Sequence, residues 1–174
     1  MSLNRAIETR ASEILLQFAI TEPGFDVVPL ARACRATVEL ANLGEDVSGV
    51  LFSDGARAVI GVNWSHHPNR QRFTIAHELG HHLLHKGGTF IDRGIAVRFR
   101  DEKSGSGTDE EEMQANAFAA ALLMPAEWIR RDFDERPFNV EDEDALKQFA
   151  DRYRVSSLAM SIRLQNLGLI IPGL

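Results

Sequence analysis

The stretch Arg72-Phe73-Thr74-Ile75-Ala76-His77-Glu78-Leu79-Gly80-His81-His82-Leu83-Leu84-His85 constrains this chain more than any other. Within it His77, Glu78 and His81 fall as H-E-x-x-H, and four residues are slightly more than one helical turn, so both imidazoles leave the same helix face. Neutral imidazole nitrogens suit Zn²⁺, while Glu78, one step on from His77, points about 100° away around the axis. It stands beside a metal held by the histidines and not on it, where a carboxylate can take a proton from water, as in metalloproteases. Phe73, Ala76, Leu79, Leu83 and Leu84 recur at helical spacing, Pro68 suits a first turn, and Gly87-Gly88 ends the run after about Lys86. An ordinary core helix with histidines at its polar margin has the same periodicity, so residues elsewhere must decide.

A catalytic zinc takes three protein ligands and keeps a position for water. Cys34 is the only cysteine, which excludes an internal disulfide and any Cys-based zinc site and leaves His and carboxylate as donors. One group of zinc proteases places its third ligand six residues past the second histidine, after an intervening Gly. Those positions are Gly87 and Leu84 here, so that arrangement is excluded. The alternative is a glutamate on a separate downstream helix. Thr108-Asp109-Glu110-Glu111 reads as a capping-box-like start, and the helix it opens runs to about Met124 before Pro125. It offers Glu110, Glu111 and Glu112. Glu112 and Asn116 stand at i and i+4 on one face, so Glu112 can bind a metal while Asn116 hydrogen-bonds a ligand imidazole. Phe118, Leu122 and Leu123 would pack beneath the zinc helix. A glutamate in such an acidic run is otherwise a solvated cap.

With 174 residues the chain has room for one domain with a core and a small helical appendage, expected over residues 1–130 and 131–174. Hydrophobic residues make up 44% and charged residues 25%, an ordinary globular composition. No apolar run reaches the roughly eighteen residues of a membrane span, and Glu8 and Glu13 interrupt anything resembling a secretory signal, so a cytoplasmic protein without membrane contact is expected. Leu3, Ile7, Ile14, Leu15 and Phe18 predict an amphipathic opening helix, Pro23-Gly24 breaks it, and Pro29 is expected to start a short helix through Arg35. Three β-like runs follow at Ala36 to Leu43, Val47 to Phe52 and Arg57 to Val62. The last two flank Ser53-Asp54-Gly55-Ala56, whose Asp-Gly signals a hairpin. The pattern predicts an α+β fold with a small, mostly antiparallel sheet ahead of the metal helix.

After that helix, Thr89 to Phe99 reads as extended, and Asp101 to Asp109, with Ser104-Gly105-Ser106-Gly107, reads as a loop. Beyond Pro125 come short helices at Ala126 to Phe133, Asp142 to Arg152, and Ser157 to Leu167 with Ser156 as N-cap. Tyr153-Arg154-Val155 is a turn short enough for helix-turn-helix, though any two packed helices look alike at this level. A net charge of -6 and a pI of about 5.5 argue against a large phosphate-binding surface. Past Ala145, however, Lys147, Arg152, Arg154 and Arg163 oppose only Asp151, which suits either a solvated face or contact with nucleic acid or an acidic partner.

Taken together, Arg72 through His81 and Glu112-Met113-Gln114-Ala115-Asn116-Ala117-Phe118-Ala119-Ala120-Ala121-Leu122-Leu123-Met124-Pro125 resemble the ImmA/IrrE family of metallo-endopeptidases. The likeness extends to Val47-Ser48-Gly49-Val50-Leu51-Phe52 and to the tail from Tyr153-Arg154-Val155-Ser156 through Arg163-Leu164 and Gly168-Leu169, covering most of residues 30 to 170. The resemblance implies a bacterial or phage-borne cytoplasmic protease with a zincin-like, specifically gluzincin-like, core and a helix-turn-helix-like tail. It implies that His77, His81 and Glu112 are ligands and Glu78 the general base. It implies further that the substrate is a helix-turn-helix repressor whose cleavage releases stress-response or mobile-element genes. Gln114 stands where relatives often carry a second Glu.

The expected chemistry is peptide hydrolysis with Zn²⁺, although Mn²⁺ or Fe²⁺ tolerates the same ligands. Donors for the oxyanion are sought among His66, His67, His85 and Tyr153. His85 falls close to the His77/His81 face in a supporting or surface position, and His82 points elsewhere. Two other readings use the same residues: a non-cleaving, metal-stabilised module that sequesters a repressor or contacts DNA, and a peptidase acting as a toxin or on other proteins. The acidic charge argues against a free-standing DNA binder, and an intact Glu78 argues against a purely structural metal.

Overall fold

The computed structural model describes residues 3–85, 87–93, 109–140 and 142–170. Among them are seven helices and four strands, gathered into two compact units: Asp26–Ala119, and Met1–Phe25 together with Ala120–Leu174. The end of the extended run beyond Arg93, the Ser/Gly loop and the Thr108 cap fall outside the described residues.

The continuous unit is built on the sheet. Helix α1 (Leu3–Gln17) belongs to the other unit; α2 spans Val27–Ala33, and Asp26 caps it by accepting from Val28 N at 3.0 Å. The helix therefore starts two residues before Pro29. Proline falls in the first turn, where its missing N–H has no helical partner to lose, so the cap and not the proline sets the boundary. Strands β1 (Ala36–Ala41), β2 (Val47–Ser53), β3 (Ala58–Asn63) and β4 (Thr89–Arg93) lie in the order β1-β3-β2-β4. β2 and β3 form the hairpin that Asp54-Gly55 announces: the Asp54 carboxylate accepts from Ala56 N and Arg57 N at 2.8 and 2.7 Å, and Gly55 takes a φ of +86°. β4 also pairs antiparallel with β2, through a shift in register between Val47 and Gly49, whereas β1 pairs parallel with β3.

One face of the sheet carries the core. Leu51, Ile60 and Val62 are fully buried, with Phe90 and Ala58 beside them, and α3 (Pro68–Leu84) packs on β2 and β3 while α2 packs on β1 and α3. Each such aliphatic side chain contributes about 1.5–3 kcal/mol on burial. α3 opens with His67 as N-cap and Pro68 in its first turn. Helix α4 (Asp109–Leu123) begins in this unit, and its last residues belong to the other.

The second unit is helical: α1 (Leu3–Gln17), the end of α4, α5 (Ala126–Glu135), α6 (Glu143–Tyr153) and α7 (Ser157–Asn166). Asp142 caps α6 by accepting from Asp144 N and Ala145 N, and Ser156 caps α7 by accepting from Ala159 N at 3.1 Å. Between them Arg154 adopts the left-handed conformation that stops α6. Two buried charges are internally satisfied. Arg163 donates to the Met124 carbonyl at 2.9 Å and grips both carboxylate oxygens of Glu8. Asp132 accepts from the Tyr153 hydroxyl at 2.7 Å and from Arg152 Nε at 2.8 Å, with Arg131 beside it. Lys147 pairs with Asp151 at the exposed surface, while Arg163 is buried and Arg152 reaches the buried Asp132.

Burial would raise the Asp132 pKa, but the bonds from Tyr153 and Arg131 and the charge of Arg152 outweigh it, and the carboxyl sits below its ordinary 3.8. A depressed acid stabilises the fold above its unfolded value, and that contribution is lost as pH falls through the lower folded value. Asp132→Ala should strand the Tyr153 hydroxyl and lower unfolding free energy by about 1–3 kcal/mol, and should flatten the acid limb of stability against pH in denaturant melts.

Candidate metal centre

The site sits within Asp26–Ala119, where α3 and α4 approach closely. A Cβ on Gly80 would come within 3.1 Å of both Ala115 Cα and Phe118 Cδ1, so small residues at 80 and 115 let the two backbones close up. That approach brings the polar faces of the helices together. His77 Nε2 and His81 Nε2 lie 3.2 Å apart, and Glu112 spans them, Oε2 at 3.4 Å from the first and Oε1 at 3.3 Å from the second. His77 and His81 are buried, and the Glu112 side chain is 15% exposed, enough to open the group to solvent on one side.

The chemistry of this donor set fits a divalent ion. Three donors at bonds of about 2.0–2.1 Å and tetrahedral angles stand about 3.3 Å from one another, and the observed edges match that triangle. The protons agree. Asn116 Oδ1 lies 3.0 Å from His77 Nδ1 and can only accept, so Nδ1 carries the hydrogen and Nε2 presents a lone pair toward Glu112. With the His77 lone pair, His81 Nε2 and a carboxylate facing one point, a cation would satisfy all three donors. His81 is oriented differently, by the Phe90 ring stacked on it at 4.3 Å with planes 18° apart. His77, His81 and Glu112 are accordingly the residues that could hold the ion. Asn116→Ala should weaken zinc binding about 10–100-fold in a competition titration, the size of a lost outer-shell bond.

Burial works against a charged His77, yet the hydrogen bond to Glu112 and the charges of Glu78, Asp92 and Glu112 overcome it and hold its pKa above 6.5. For His81 burial prevails over the pull of Glu112, the neighbouring His77 adds to it, and the pKa lies below 6.5.

Glu78 is 0% exposed and belongs to a second cluster, with His77 and Asp92, whose donor atoms all lie within 4.8 Å of one another. Asp92, on β4, does not stand out in the sequence. Of the oxyanion candidates, Tyr153 lies in the helical unit with its hydroxyl given to Asp132. His67 Nδ1 accepts from Asn69 N, and His85 Nε2 faces the Glu111 carbonyl at 3.2 Å, its ring 5.2 Å from that of His81. His66 keeps a buried Nδ1 with no hydrogen-bond partner among the described residues, and burial, with the charge of Arg70, lowers its pKa below 6.5 against the pull of Asp92. His82 bridges Ser53 Oγ at 2.9 Å and the Cys34 carbonyl at 3.2 Å, a structural tie.

Comparison with known proteins gives a consistent picture. A peptidase family described as the IrrE N-terminal-like domain matches residues 37–165. The radiation response metalloprotease IrrE of Deinococcus deserti is 32% identical over 126 residues, 71% of this chain and 42% of that protein. Immunity region protein 2 of Bacillus phage phi105 is 28% identical over 101 residues, 58% of this chain and 59% of that one. The chain thus spans about half the length of these relatives. A Mycobacterium tuberculosis transcriptional regulator shares the fold, with a TM-score of 0.61 at 18% identity over 92% of this chain and 46% of that one.

Proposed function

Because the chain belongs to the ImmA/IrrE family of metallopeptidases, we propose that it is a zinc-dependent endopeptidase whose substrate is a helix-turn-helix repressor, cut to release stress-response or mobile-element genes. One observation carries the reading: the near-equilateral triangle of His77 Nε2, His81 Nε2 and the Glu112 carboxylate, with the buried Glu78 next to His77. A divalent ion on that triangle supplies Lewis acidity toward a water and the scissile carbonyl. Glu78 takes the proton the water gives up and passes it to the leaving amine. Asn116 holds His77 in the tautomer that directs Nε2 inward, Phe90 fixes the plane of His81, and Glu112 balances the charge of the ion.

The repressor is proposed from the family likeness, and the phage relative's designation as an immunity region protein supports it. The test is incubation of the purified chain with any helix-turn-helix protein found encoded beside it. Cleavage at one site that stops with chelator and returns with zinc is the expected result. Tight association without cleavage at any zinc level would favour the sequestering module instead, and indiscriminate degradation would favour a general peptidase.

A further inference from the structure

The Glu78 carboxylate meets a strand as well as its own helix. A Cβ built on Gly49 of β2 would lie 3.0 Å from Glu78 Oε1 and 3.3 Å from the Gly61 carbonyl oxygen, and would overlap the Thr74 methyl. Gly49 does not use a positive φ, so its backbone is open to any residue, and a glycine inside a strand costs conformational entropy that alanine would not. What glycine supplies here is room. The local ladder points the same way. Ser48 is the extra residue between the pairings Val47↔Arg93 and Gly49↔Asp92, a bulge that bends the strand. Its hydroxyl accepts from Arg70 Nη2 at 2.8 Å, fastening the bulge to the helix that carries Glu78. Opposite Gly49, on the same face of the ladder, Asp92 brings a carboxylate within 4.8 Å of donor atoms of both His77 and Glu78.

We propose that Gly49 is a positioning residue for the general base. The bare β2 backbone is the wall against which the Glu78 carboxylate is set, and a side chain at 49 turns that carboxylate away from the ligand triangle. Gly49 acts only through Glu78, so the inference rests on the proposed role of Glu78.

Four variants test it: Gly49→Ala, Thr74→Ser, the two combined, and Gly61→Ala. Thr74→Ser removes the methyl that an alanine at 49 would strike, so the double variant relieves the packing clash and leaves the one with Oε1. Gly61→Ala adds a methyl against the Val50 side chain, on the other face of the sheet. Crystal structures of the zinc-loaded variants, zinc titrations, and kinetics on the best-cleaved peptide of a quenched-fluorescence library are compared. In both Gly49 variants the Glu78 carboxylate should be displaced and zinc affinity unchanged, with kcat lower by about 10²-fold at nearly constant KM. Thr74→Ser and Gly61→Ala should keep the wild-type kcat. A double variant with an unmoved carboxylate, or with a moved one and wild-type kcat, overturns the proposal. If the wild-type chain cleaves no peptide, the hydrolytic reading fails and takes the general-base role with it, while the position of the carboxylate in Gly49→Ala still decides separately whether Gly49 sets the Glu78 side chain.

Discussion

Glu78→Gln should lower peptide hydrolysis by about 10²–10⁴-fold, the weight of a general base, while zinc binds as before. The side chain is 0% exposed and lies outside the three residues placed to hold an ion, so an amide of the same shape loses the ability to carry a proton and little else. Measuring kcat/KM alongside a zinc titration separates the roles. Full activity in the variant would remove Glu78 from the chemistry, and loss of zinc would make it part of the metal site instead.

Loss of a ligand should be as large in another currency. Zinc that binds only the native chain stabilises it by about 4 kcal/mol at a thousandfold excess over Kd, and this gain should vanish, together with activity, in Glu112→Ala and His77→Ala. The pH dependence follows from His77. Its folded pKa is raised, so its own contribution to the metal-free fold is complete below 6.5 and is lost as pH rises through the higher folded value. Zinc competes with that proton, so its stabilising effect runs the other way, weak in acid and growing through the same window. His81, held below 6.5, titrates on the acid side of that window. Thermal melts with and without zinc, taken from mildly acidic to neutral pH, check both; a zinc shift that survives Glu112→Ala sinks the triangle.

The metal helix is legible because its signals are local and agree: Pro68 opens it, the apolar residues keep one period, and glycines follow its end. The i, i+4 relation of Glu112 to Asn116 is equally local, and the fold brings Asn116 onto His77. Strand partnership is not local. The alternation in Ala36–Ala41 is the same whether its neighbour runs parallel or antiparallel, and only the assembled sheet sets β1 beside β3. Asp92 reads as a polar residue of an alternating strand, and Gly49 as a weak spot in another. Their importance depends on a register between β2 and β4 displaced by a bulge that no short pattern announces. Tyr153 fails as an oxyanion donor for a similar reason, since its hydroxyl is chemically suited but Asp132, distant in sequence, has already claimed it.

The division of the chain also orders its birth on the ribosome. Asp26–Ala119 is one uninterrupted piece, so the residues that would trap an ion are all translated before most of the helical unit exists. The opening helix has the opposite fate: Glu8 meets its partner Arg163 155 positions later, a wait on the order of ten seconds at ordinary elongation rates. Until then the faces of Ile7, Ile14 and Leu15 have nothing of their own unit to cover them. A nascent chain should therefore complete the unit that could hold an ion first and lose its dependence on chaperones last.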